Sequence, residues 1–298
     1  MFTLADKYLV DDIQNIRLNG FRDTNPRPKY SDGTPAYTYS VNHNIRKYNL
    51  SQNEFPITTL RPIGWKGAIK EMLWIFQKKS NNLDMLRDEY NIHVWDQWES
   101  KDIPGTIGNR YGHTIEKYNL FEERVLKDIK NDPFGRYHIC NMWQEEELQS
   151  SDGLKPCAYE TIWNLRKGLR QNTNIYLDMM LIQRSGDMLV ASGAGNWNEV
   201  QYASLMMMTA QCLGYKPGIF THVVVNEQIY DRHMVQATEL TNRYKPHLID
   251  TIFSNDPKKA IMLYINPDIK DFYKFTIDDF EMKNYLPIKP QLKFDIGV

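Results

Sequence analysis

Residues 175–185, 198–215 and 218–230 read IYLDMMLIQRS, NEVQYASLMMMTAQCLGY and GIFTHVVVNEQIY, and this succession determines the architecture. The first and third segments are rich in β-branched and aromatic residues and are bounded by turn residues, which is typical of strands. The second is apolar around most of its circumference and ends at Gly214, which predicts a deeply buried helix. A strand, a buried helix and a second strand indicate a sheet that is covered by helices.

Similar patterns predict the rest of the sheet and of the helical layer. Strands are predicted over residues 136–143 and 159–166, where RYHICNMW and YETIWNLR combine β-branched and aromatic residues. Helices are predicted over residues 4–20, 64–77, 82–90 and 121–131. Residues 23–41 are rich in Pro, Asp, Gly and Ser, so they form a loop that leads into a strand. Nothing marks a boundary between domains, and we expect residues 1–298 to form one α+β domain.

The composition argues against several functional classes. The chain has 36 basic and 37 acidic residues, so we expect no broad nucleic-acid-binding surface. Its three cysteines lack paired spacing, and no CxxC or HExxH motif is present, which indicates free thiols and no metal site. The N-terminus is charged throughout, and no apolar run approaches the ~20 residues that span a membrane. We therefore expect a cytoplasmic protein without a membrane partner.

Cys157 lies in SDGLKPCAYETIW (residues 151–163), between a turn-prone segment and an apolar run. Pro156 stiffens the backbone before it and cannot donate to a central strand ladder, so the thiol could be held at a cleft. An inert cysteine is the alternative, because a reactive thiol needs a nearby cation that lowers its pKa. Residues adjacent in sequence supply no such cation, but Arg184 in LIQRSGD (residues 181–187) could supply it in three dimensions.

A compact set of hydrogen-bond donors forms the end of the predicted strand at residues 175–185. Gln183, Arg184 and Ser185 stand together there, and arginine is suited to bidentate contact with phosphate. Arg136 similarly follows a turn. A surface arginine in a turn is the alternative interpretation of each position.

The loop ASGAGNWNEVQY (residues 191–202) runs into the buried helix. Its small residues would let a ligand approach the backbone closely. The loop places Asn196 or Asn198 at the N-terminus of the helix, as a helix cap or as a ligand contact. Its glycines do not form a GxGxxG dinucleotide-binding pattern.

Three further positions combine polar atoms with apolar surroundings. Glu71 stands inside the most apolar helix, so it needs either a hydrogen-bond partner or a raised pKa and a role in proton transfer. Trp95 and Trp98 flank a carboxylate and could stack a flat heterocycle, although core packing is the alternative. Tyr111 lies beside a glycine in GNRYGH, a composition typical of a mobile loop.

Taken in order along the chain, these motifs resemble the thymidylate synthase family, and most closely its firmicute branch. The segments that carry the resemblance are RPKYSDGT (27–34), FPITTLR (55–61), AIKEMLWIFQ (68–77), VWDQW (94–98), GTIGNRYG (105–112), LKPCAYETIW (154–163), QRSGDMLVA (183–191), NWNEVQY (196–202), QIYDRHM (228–234) and KPQLKFDIGV (289–298). The match runs almost end to end, and the segments occur at near-family spacing. Ten motifs in one order are a strong signal, whereas any one of them alone would be weak.

The resemblance implies reductive methylation of deoxyuridylate (dUMP) to thymidylate. The cosubstrate would be 5,10-methylenetetrahydrofolate, and no metal would be needed. By resemblance, Cys157 is the nucleophile that adds to uracil C6, and Arg184 contacts both its thiolate and the phosphate. Asn198 would read the uracil N3–H and O4 atoms. Glu71 would relay protons through water, and Tyr111 would help to remove the C5 proton.

The resemblance also implies the remaining contacts and the quaternary structure. The implied nucleotide contacts are Arg27, Arg136, Gln183, Arg184, Ser185, Asp187, Asn198, Gln228 and Tyr230. The implied folate contacts are Glu71, Val94, Trp95, Trp98, Asp187 and, in a closing C-terminal tail, Val298. The implied fold is a mixed β-sheet covered by helices, in a homodimer packed through the sheet. Arg136 would then reach the active site of the partner subunit.

Four features depart from the common family pattern. Ala158 follows the nucleophile where most of the family has histidine, a mild change that is associated with the firmicute branch. Tyr137 replaces the second of two paired arginines, and Gln228 replaces a histidine near the ribose-binding tyrosine. The segment before the buried helix is longer than usual, which makes Asn196 a rival of Asn198 as the base-reading amide.

Two other functions are compatible with the sequence. A dUMP or dCMP hydroxymethylase of the same fold would let water trap the exocyclic methylene. A cytidylate-specific form would be expected to carry Asp at position 198, and the retained Trp95 and closing tail favour hydride transfer. A non-catalytic nucleotide-binding homologue is the second alternative. The changes at Tyr137 and Gln228 keep it open, whereas retention of the four main catalytic positions argues against it.

Overall fold

The longer strands of the central sheet and the helix that covers it lie where the sequence predicts them. The computed structural model describes residues 2–169, 171–245 and 259–297. The strands are β1 (Phe21–Arg22), β2 (Thr38–Asn49), β3 (His138–Asn141), β4 (Ala158–Lys167), β5 (Ile175–Gln183), β6 (Gly186–Asp187), β7 (Lys216–Tyr230), β8 (Met262–Ile265) and β9 (Phe280–Lys283). The helices are α1 (Leu4–Asn19), α2 (Trp65–Met72), α3 (Leu83–Asp88), α4 (Gly112–Tyr118), α5 (Asp128–Asn131), α6 (Glu145–Ser150), α7 (Trp197–Leu213) and α8 (Met234–Arg243).

The main sheet is mixed, in the order β1-β2-β7-β5-β4-β3, and β6 pairs with β7 beside this path. Strands β5 and β7 are parallel, whereas β2–β7, β4–β5 and β3–β4 are antiparallel. Parallel strands need a crossover of a dozen or more residues, and the loop with helix α7 provides it. The predicted strand, buried helix and strand therefore form the centre of the fold.

Helix α7 is the core of the helical layer because almost all of its faces are apolar. Its side chains from Val200 to Met206 are buried, and so are Met208 and Ala210. The helix ends at Gly214, whose φ of +77° provides a left-handed C-cap. Helix α7 packs on β5, on β7 and on α2, so it joins the sheet to the outer helices.

The two faces of the sheet differ in their surroundings. Arg46 on β2 pairs with His222 on β7, and both side chains are buried on the helix-covered face. Successive residues of a strand point to opposite faces. The next pair, Ile45 and Val223, therefore lies on the other face, where Ile45 is 54% exposed and Met180 is 38% exposed. This second face thus presents apolar side chains to its surroundings.

The sequence missed elements that are short or mainly polar. The predictions of strands β3, β4, β5 and β7 and of helices α1, α2, α3 and α7 are confirmed. The helix predicted over 121–131 begins as a π-helical turn, Glu122–Lys127, before α5. Helices α4, α6 and α8 and the β8–β9 hairpin were not predicted, because none of them carries a long apolar repeat.

No helix within residues 2–169, 171–245 and 259–297 combines the length and the hydropathy that crossing a membrane requires.

The loop before α7 depends on a glycine at which a side chain would have no room. Gly195 has a φ of +69°, and a Cβ there would lie 2.2 Å from the Thr58 backbone nitrogen. The carbonyl of Gly195 accepts a hydrogen bond from that nitrogen (3.0 Å), so the two segments cannot move apart freely. Gly214 has a similar φ of +77° but open space around its Cα.

We therefore expect Gly195→Ala to destabilise the protein much more than Gly214→Ala. Backbone strain alone should cost Gly214→Ala about 1 kcal/mol, and the added steric clash should bring Gly195→Ala to about 3 kcal/mol or more. Chemical denaturation of the two variants in parallel measures the difference. Equal losses of stability would mean that the close approach to Thr58 does not constrain the loop.

Candidate active site

Cys157 immediately precedes β4, where the pairing with β5 is irregular. The register shifts between Ala158 and Glu160, so the strand begins at a bulge. The Cys157 backbone N–H donates to the Tyr111 hydroxyl (3.1 Å), and its carbonyl accepts from the Arg184 backbone N–H (2.9 Å). The backbone at the thiol is therefore held on both sides, while the side chain stays half-buried.

Arg184 supplies the cation that the sequence could not place beside the thiol. Its Nη2 lies 3.5 Å from Cys157 Sγ. Nε donates to the Pro156 carbonyl (2.9 Å) and Nη2 to the Lys155 carbonyl (2.8 Å), which fixes the plane of the guanidinium. The partly buried setting raises the pKa of Cys157, and the charges of Arg184 and Arg27 oppose that rise.

Burial also raises the pKa values of the other two cysteines. Burial raises the pKa of Cys140 to about 12, and the nearby Glu160 carboxylate acts in the same direction. Burial raises the pKa of Cys212 to about 11. The guanidinium of Arg184 therefore distinguishes Cys157 as the thiol whose anion is electrostatically supported.

Tyr111 is held in a strained backbone conformation at the N-terminus of α4. Its φ of +49° and ψ of −107° are unusual for a residue with a side chain. The neighbouring chain is tightly packed, because a Cβ on Gly112 would lie 2.1 Å from the Ser80 carbonyl oxygen. This strain aims the buried phenol at Cys157. Burial raises the pKa of Tyr111, so its hydroxyl stays protonated.

Glu71 is a buried carboxyl on α2. Its Oε2 accepts a hydrogen bond from the Trp197 indole N–H (2.7 Å). Burial raises the pKa of Glu71, and hydrogen bonding from its neighbours opposes the rise. A carboxyl without a cationic partner in such a setting is suited to carry a proton. Trp197 itself packs closely on Gly67, where a Cβ would lie 2.6 Å from the indole.

The two candidate base-reading amides have different partners. Asn198 is partly exposed in the first turn of α7, and its Oδ1 accepts from Gln183 Nε2 (3.3 Å). Asn196 is fully buried: its Oδ1 accepts from Arg61 Nη2 (2.8 Å) and its Nδ2 donates to the Met188 carbonyl (2.8 Å). The Asn196 amide is thus committed to the loop, whereas Asn198 has hydrogen-bonding capacity left.

An aromatic series extends from the surface toward the thiol. The rings of Trp98 and Trp95 lie 5.7 Å apart, and those of Trp95 and Tyr111 lie 5.5 Å apart, both edge to face. Val94 next to them is exposed, whereas Trp95 is buried. Because the Tyr111 hydroxyl reaches Cys157, these rings form a continuous apolar wall beside the nucleophile.

The opposite wall of the site comes from the end of β7 and from the chain around β6. Asp187 and Gln228 are directly paired in the parallel β6–β7 register. Burial raises the pKa of Asp187, and the nearby His233 opposes this rise. Burial also raises the pKa of Tyr230 to about 12. Arg27 is exposed but close enough to influence the pKa of both Tyr230 and Cys157.

The C-terminal tail approaches this wall. The backbone of Gly297 lies against Tyr230, where a Cβ would come within 3.0 Å of the ring. The carbonyl of Asp295 is 2.7 Å from His233 Nε2. Val298, which the resemblance assigns to folate binding, lies outside the described residues.

Arg136 is exposed on the turn between α5 and β3, and the neighbouring Tyr137 donates its hydroxyl to Asp132 (2.8 Å). Ser185 is partly buried beside Arg184 at the end of β5. Arg184 and Tyr111 contact Cys157, and Arg27 and Tyr230 lie close enough to it to interact electrostatically.

Trp197 and Gln201 of α7 were not predicted as site residues from the sequence. Trp197 binds Glu71, and Gln201 Oε1 accepts from Asn198 Nδ2 (3.1 Å). Both stand in the quoted segment NWNEVQY, one residue before and three after the chosen asparagine. Helical spacing places Asn198 and Gln201 on one face and could have found the second of them. Among the described residues, no group of three or more His, Cys, Asp and Glu side chains could hold a metal ion.

Comparison with known proteins decides the family. Residues 7–298 match the family model described as thymidylate synthase. The thymidylate synthases of Streptococcus sanguinis (strain SK36) and of Lactococcus lactis subsp. lactis (strain IL1403) are each 42% identical over 296 residues, 99% of this chain and 100% of the relative. The chain belongs to the thymidylate synthase family.

A solved structure supports the same relationship. The thermostable thymidylate synthase A from Bacillus subtilis matches with a TM-score of 0.83 and 36% identity over 99% of both chains. The predictions of the thymidylate synthase family, of an α+β fold with a mixed sheet and of a methyltransferase are confirmed. The resemblance to the firmicute branch is confirmed too, because the matched relatives come from that group.

We expect Arg184→Gln to raise the pKa of the Cys157 thiol, because it removes the cation that stabilises the thiolate. The midpoint of the rate–pH profile for alkylation of Cys157 by iodoacetamide should move upward by about one pH unit. Mass spectrometry of the modified peptide follows this thiol separately from Cys140 and Cys212. Arg166→Gln is the matched control, because Arg166 pairs with Asp178 instead (2.7 Å). An unchanged midpoint in Arg184→Gln would contradict electrostatic support of the thiolate.

Proposed function

We propose that the chain converts dUMP to dTMP through a covalent bond between Cys157 Sγ and uracil C6. The observation that carries this proposal is the Arg184 guanidinium 3.5 Å from the thiol. Both Arg184 and the Glu71 carboxyl are close enough to the Tyr111 phenol to influence its pKa. A nucleophile, its supporting cation and a proton-carrying group therefore share one site.

The proposed role of Cys157 is to make uracil C5 nucleophilic. Its thiolate adds to C6, and the electron pair of the C5–C6 double bond moves toward C5 and O4. Arg184 stabilises the thiolate before the attack and contacts the phosphate with Arg27 and Ser185. Elimination of the thiolate in the last step regenerates the enzyme.

The folate cosubstrate, 5,10-methylenetetrahydrofolate, supplies the one-carbon unit and the hydride that reduces it to a methyl group. We propose that the pterin of the folate contacts the rings of Trp95 and Trp98 and the exposed Val94. The Asp187 carboxylate would accept hydrogen bonds from the polar edge of the pterin. The tail that ends at Val298 would close over it. The position of Gly297 against Tyr230 supports this role, because the tail already approaches the site.

Proton transfers are assigned to Glu71 and Tyr111. A buried carboxyl with a raised pKa can take and return protons near neutral pH. The Tyr111 hydroxyl accepts from the Cys157 backbone N–H (3.1 Å), and this closeness to the nucleophile supports its proposed role in removing the C5 proton. Gln228 and Tyr230 complete the nucleotide site in this proposal, at the end of β7.

Asn198 is proposed as the residue that reads the base. Its amide can accept from uracil N3–H and donate to O4 at the same time, whereas cytosine reverses both groups. The commitment of Asn196 to Arg61 and Met188 supports this choice of asparagine. Because residue 198 is an amide and not a carboxylate, uracil is the favoured base.

We further propose a homodimer packed through the sheet, with Arg136 entering the site of the partner subunit. The partly exposed apolar face that contains Ile45 and Met180 supports this arrangement. Exposure of Arg136 agrees with a contact made in trans. Cytoplasmic location, a single domain over 1–298 and the absence of a nucleic-acid partner remain part of this proposal.

An assay of the purified protein with dUMP and 5,10-methylenetetrahydrofolate tests the reaction. We expect the near-ultraviolet absorbance of dihydrofolate to rise and mass spectrometry to show a methylated nucleotide. Cys157→Ala should abolish turnover and keep dUMP binding, because it removes only the attacking atom. Cys212→Ala is the control, since its thiol lies on the far part of α7, and it should keep full activity. A hydroxymethylated product, or an active Cys157→Ala variant, would contradict the proposed mechanism.

Substitution of Ile45 tests the quaternary structure. We expect Ile45→Arg to shift the protein from dimer to monomer in sedimentation velocity, because it puts a charge in the proposed apolar interface. Turnover should fall with the dimer fraction, since Arg136 would no longer reach a partner. Leu286→Arg changes a residue that is 87% exposed outside the sheet, and it should stay dimeric. A monomeric wild-type protein with full activity would contradict the shared site.

A further inference from the structure

A fully buried histidine lies behind the base-reading amide. His222 Nε2 is 3.0 Å from Gln183 Oε1, and its Nδ1 is 3.2 Å from Arg46 Nη2 and 3.1 Å from Glu199 Oε1. Gln183 in turn contacts Asn198. A continuous hydrogen-bonded series therefore runs from Arg46 through the histidine and the glutamine to the asparagine that faces the nucleotide.

One backbone carbonyl fixes the direction of this series. Gln183 Nε2 donates to the Ser185 carbonyl oxygen (3.1 Å), and a carbonyl can only accept. The nitrogen of the Gln183 amide must therefore face Ser185 and Asn198, and its oxygen must face His222. An amide oxygen can only accept as well, so the hydrogen of His222 has to be on Nε2.

Nδ1 of His222 lies between a donor, Arg46 Nη2 (3.2 Å), and an acceptor, Glu199 Oε1 (3.1 Å). In a neutral imidazole Nδ1 accepts from Arg46, and in a doubly protonated one it donates to Glu199; in both forms the Nε2 hydrogen faces Gln183 Oε1. Burial lowers the pKa of His222, and the Arg46 charge acts in the same direction, although Glu199 opposes both. The guanidinium cannot turn away easily, because it also donates to Glu227 (2.8 Å) and to the Ser192 carbonyl (2.6 Å).

The orientation of the Gln183 amide determines that of the Asn198 amide. Because the Gln183 nitrogen points at Asn198, the asparagine must present its oxygen there, and its Nδ2 donates to Gln201 on the other side (3.1 Å). The second lone pair of Oδ1 can then accept from N3–H, and the second hydrogen of Nδ2 can donate to O4 of uracil. Cytosine would require the flipped amide.

We infer that His222 is a positioning residue that fixes the amide orientation of Asn198 through Gln183, and so makes the site select uracil over cytosine nucleotides. This inference rests on the proposed base-reading role of Asn198. Flipping Asn198 would place its NH2 group against the NH2 group of Gln183. Flipping Gln183 as well would oppose its NH2 group to His222 Nε2–H and its oxygen to the Ser185 carbonyl. The selectivity is thus set by a residue that does not touch the nucleotide.

The affinities for dUMP and dCMP, measured by isothermal titration calorimetry, test the inference. His222→Phe keeps a flat ring beside Phe220 but removes the donor to Gln183. We expect the ratio of the two affinities to fall by about tenfold, the effect of losing one orienting hydrogen bond. His222→Gln should restore most of the ratio, because a glutamine nitrogen reaches about as far as Nε2 of histidine. Phe220→Leu alters the same part of the core without this donor, and its ratio should stay at the wild-type value.

The outcomes separate this inference from the function on which it rests. A His222→Phe variant that binds both nucleotides more weakly at an unchanged ratio would overturn the inference, since that is the effect of a structural role alone. Asn198→Asp serves as the reference variant. If it also leaves the ratio unchanged, Asn198 does not read the base, and the base-reading role fails together with the inference.

The protonation of the wild-type histidine gives a second test, in which a variant serves only to assign the signal. Nitrogen-15 NMR of the protein distinguishes a protonated from an unprotonated ring nitrogen, and the spectrum of His222→Gln identifies the signal. We expect a hydrogen on Nε2, whether or not Nδ1 also carries one. A hydrogen on Nδ1 alone would reverse the direction of the series and overturn the inference.

Discussion

The buried guanidinium of Arg46 joins the elements on which the sheet and the active site depend. It donates to Asp12 of α1 (2.8 Å), to Glu227 of β7 (2.8 Å) and to Glu199 of α7 (2.7 Å). Removing such charges from water is costly, and the arrangement is stable only because every charged group has a close partner. Loss of Arg46 would leave three buried carboxyl groups without their shared cation. Strand β2, strand β7 and the two helices are therefore held in one relative position.

The active site differs from this core cluster, because its main cation is bound by backbone carbonyls and not by carboxylates. Arg184 donates to the carbonyls of Lys155 and Pro156, which orient its guanidinium without neutralising it. Its positive charge stays available for a thiolate or a phosphate. Cys157 and Glu71 are shielded from water without a full ion pair, so burial raises the pKa of each group. Burial favours the neutral form of both groups, and the charge of Arg184 opposes this effect at the thiol, which must ionise before it can attack.

The sequence predicted the fold better than it predicted the site. The apolar character of α7 and the β-branched composition of β5 and β7 identify the centre of the sheet, because both patterns are local. The contact between Arg184 and Cys157 depends on the pairing of β4 with β5, which no local pattern shows. The residues alone offered Arg184 as one possible cation for the thiol, and the resemblance to the family assigned the contact. Arg46 was not predicted, because its carboxylate partners are far away in sequence and meet only in the folded core.

The longer loop before α7 does not displace the proposed base-reading amide, because both of its ends are fixed. The chain leaves β6 in a π-helical turn, Met188–Ser192, at whose start the Asp187 carboxylate accepts from the backbone N–H groups of Leu189 and Val190. Near its other end, Gly195 donates to Glu199 Oε2 (2.7 Å), and the Asn196 amide is bound on both sides. The additional residues are thus contained in a buried, hydrogen-bonded segment. Asn198 enters the first turn of α7 from a fixed point, so a change in loop length need not alter what the site recognises.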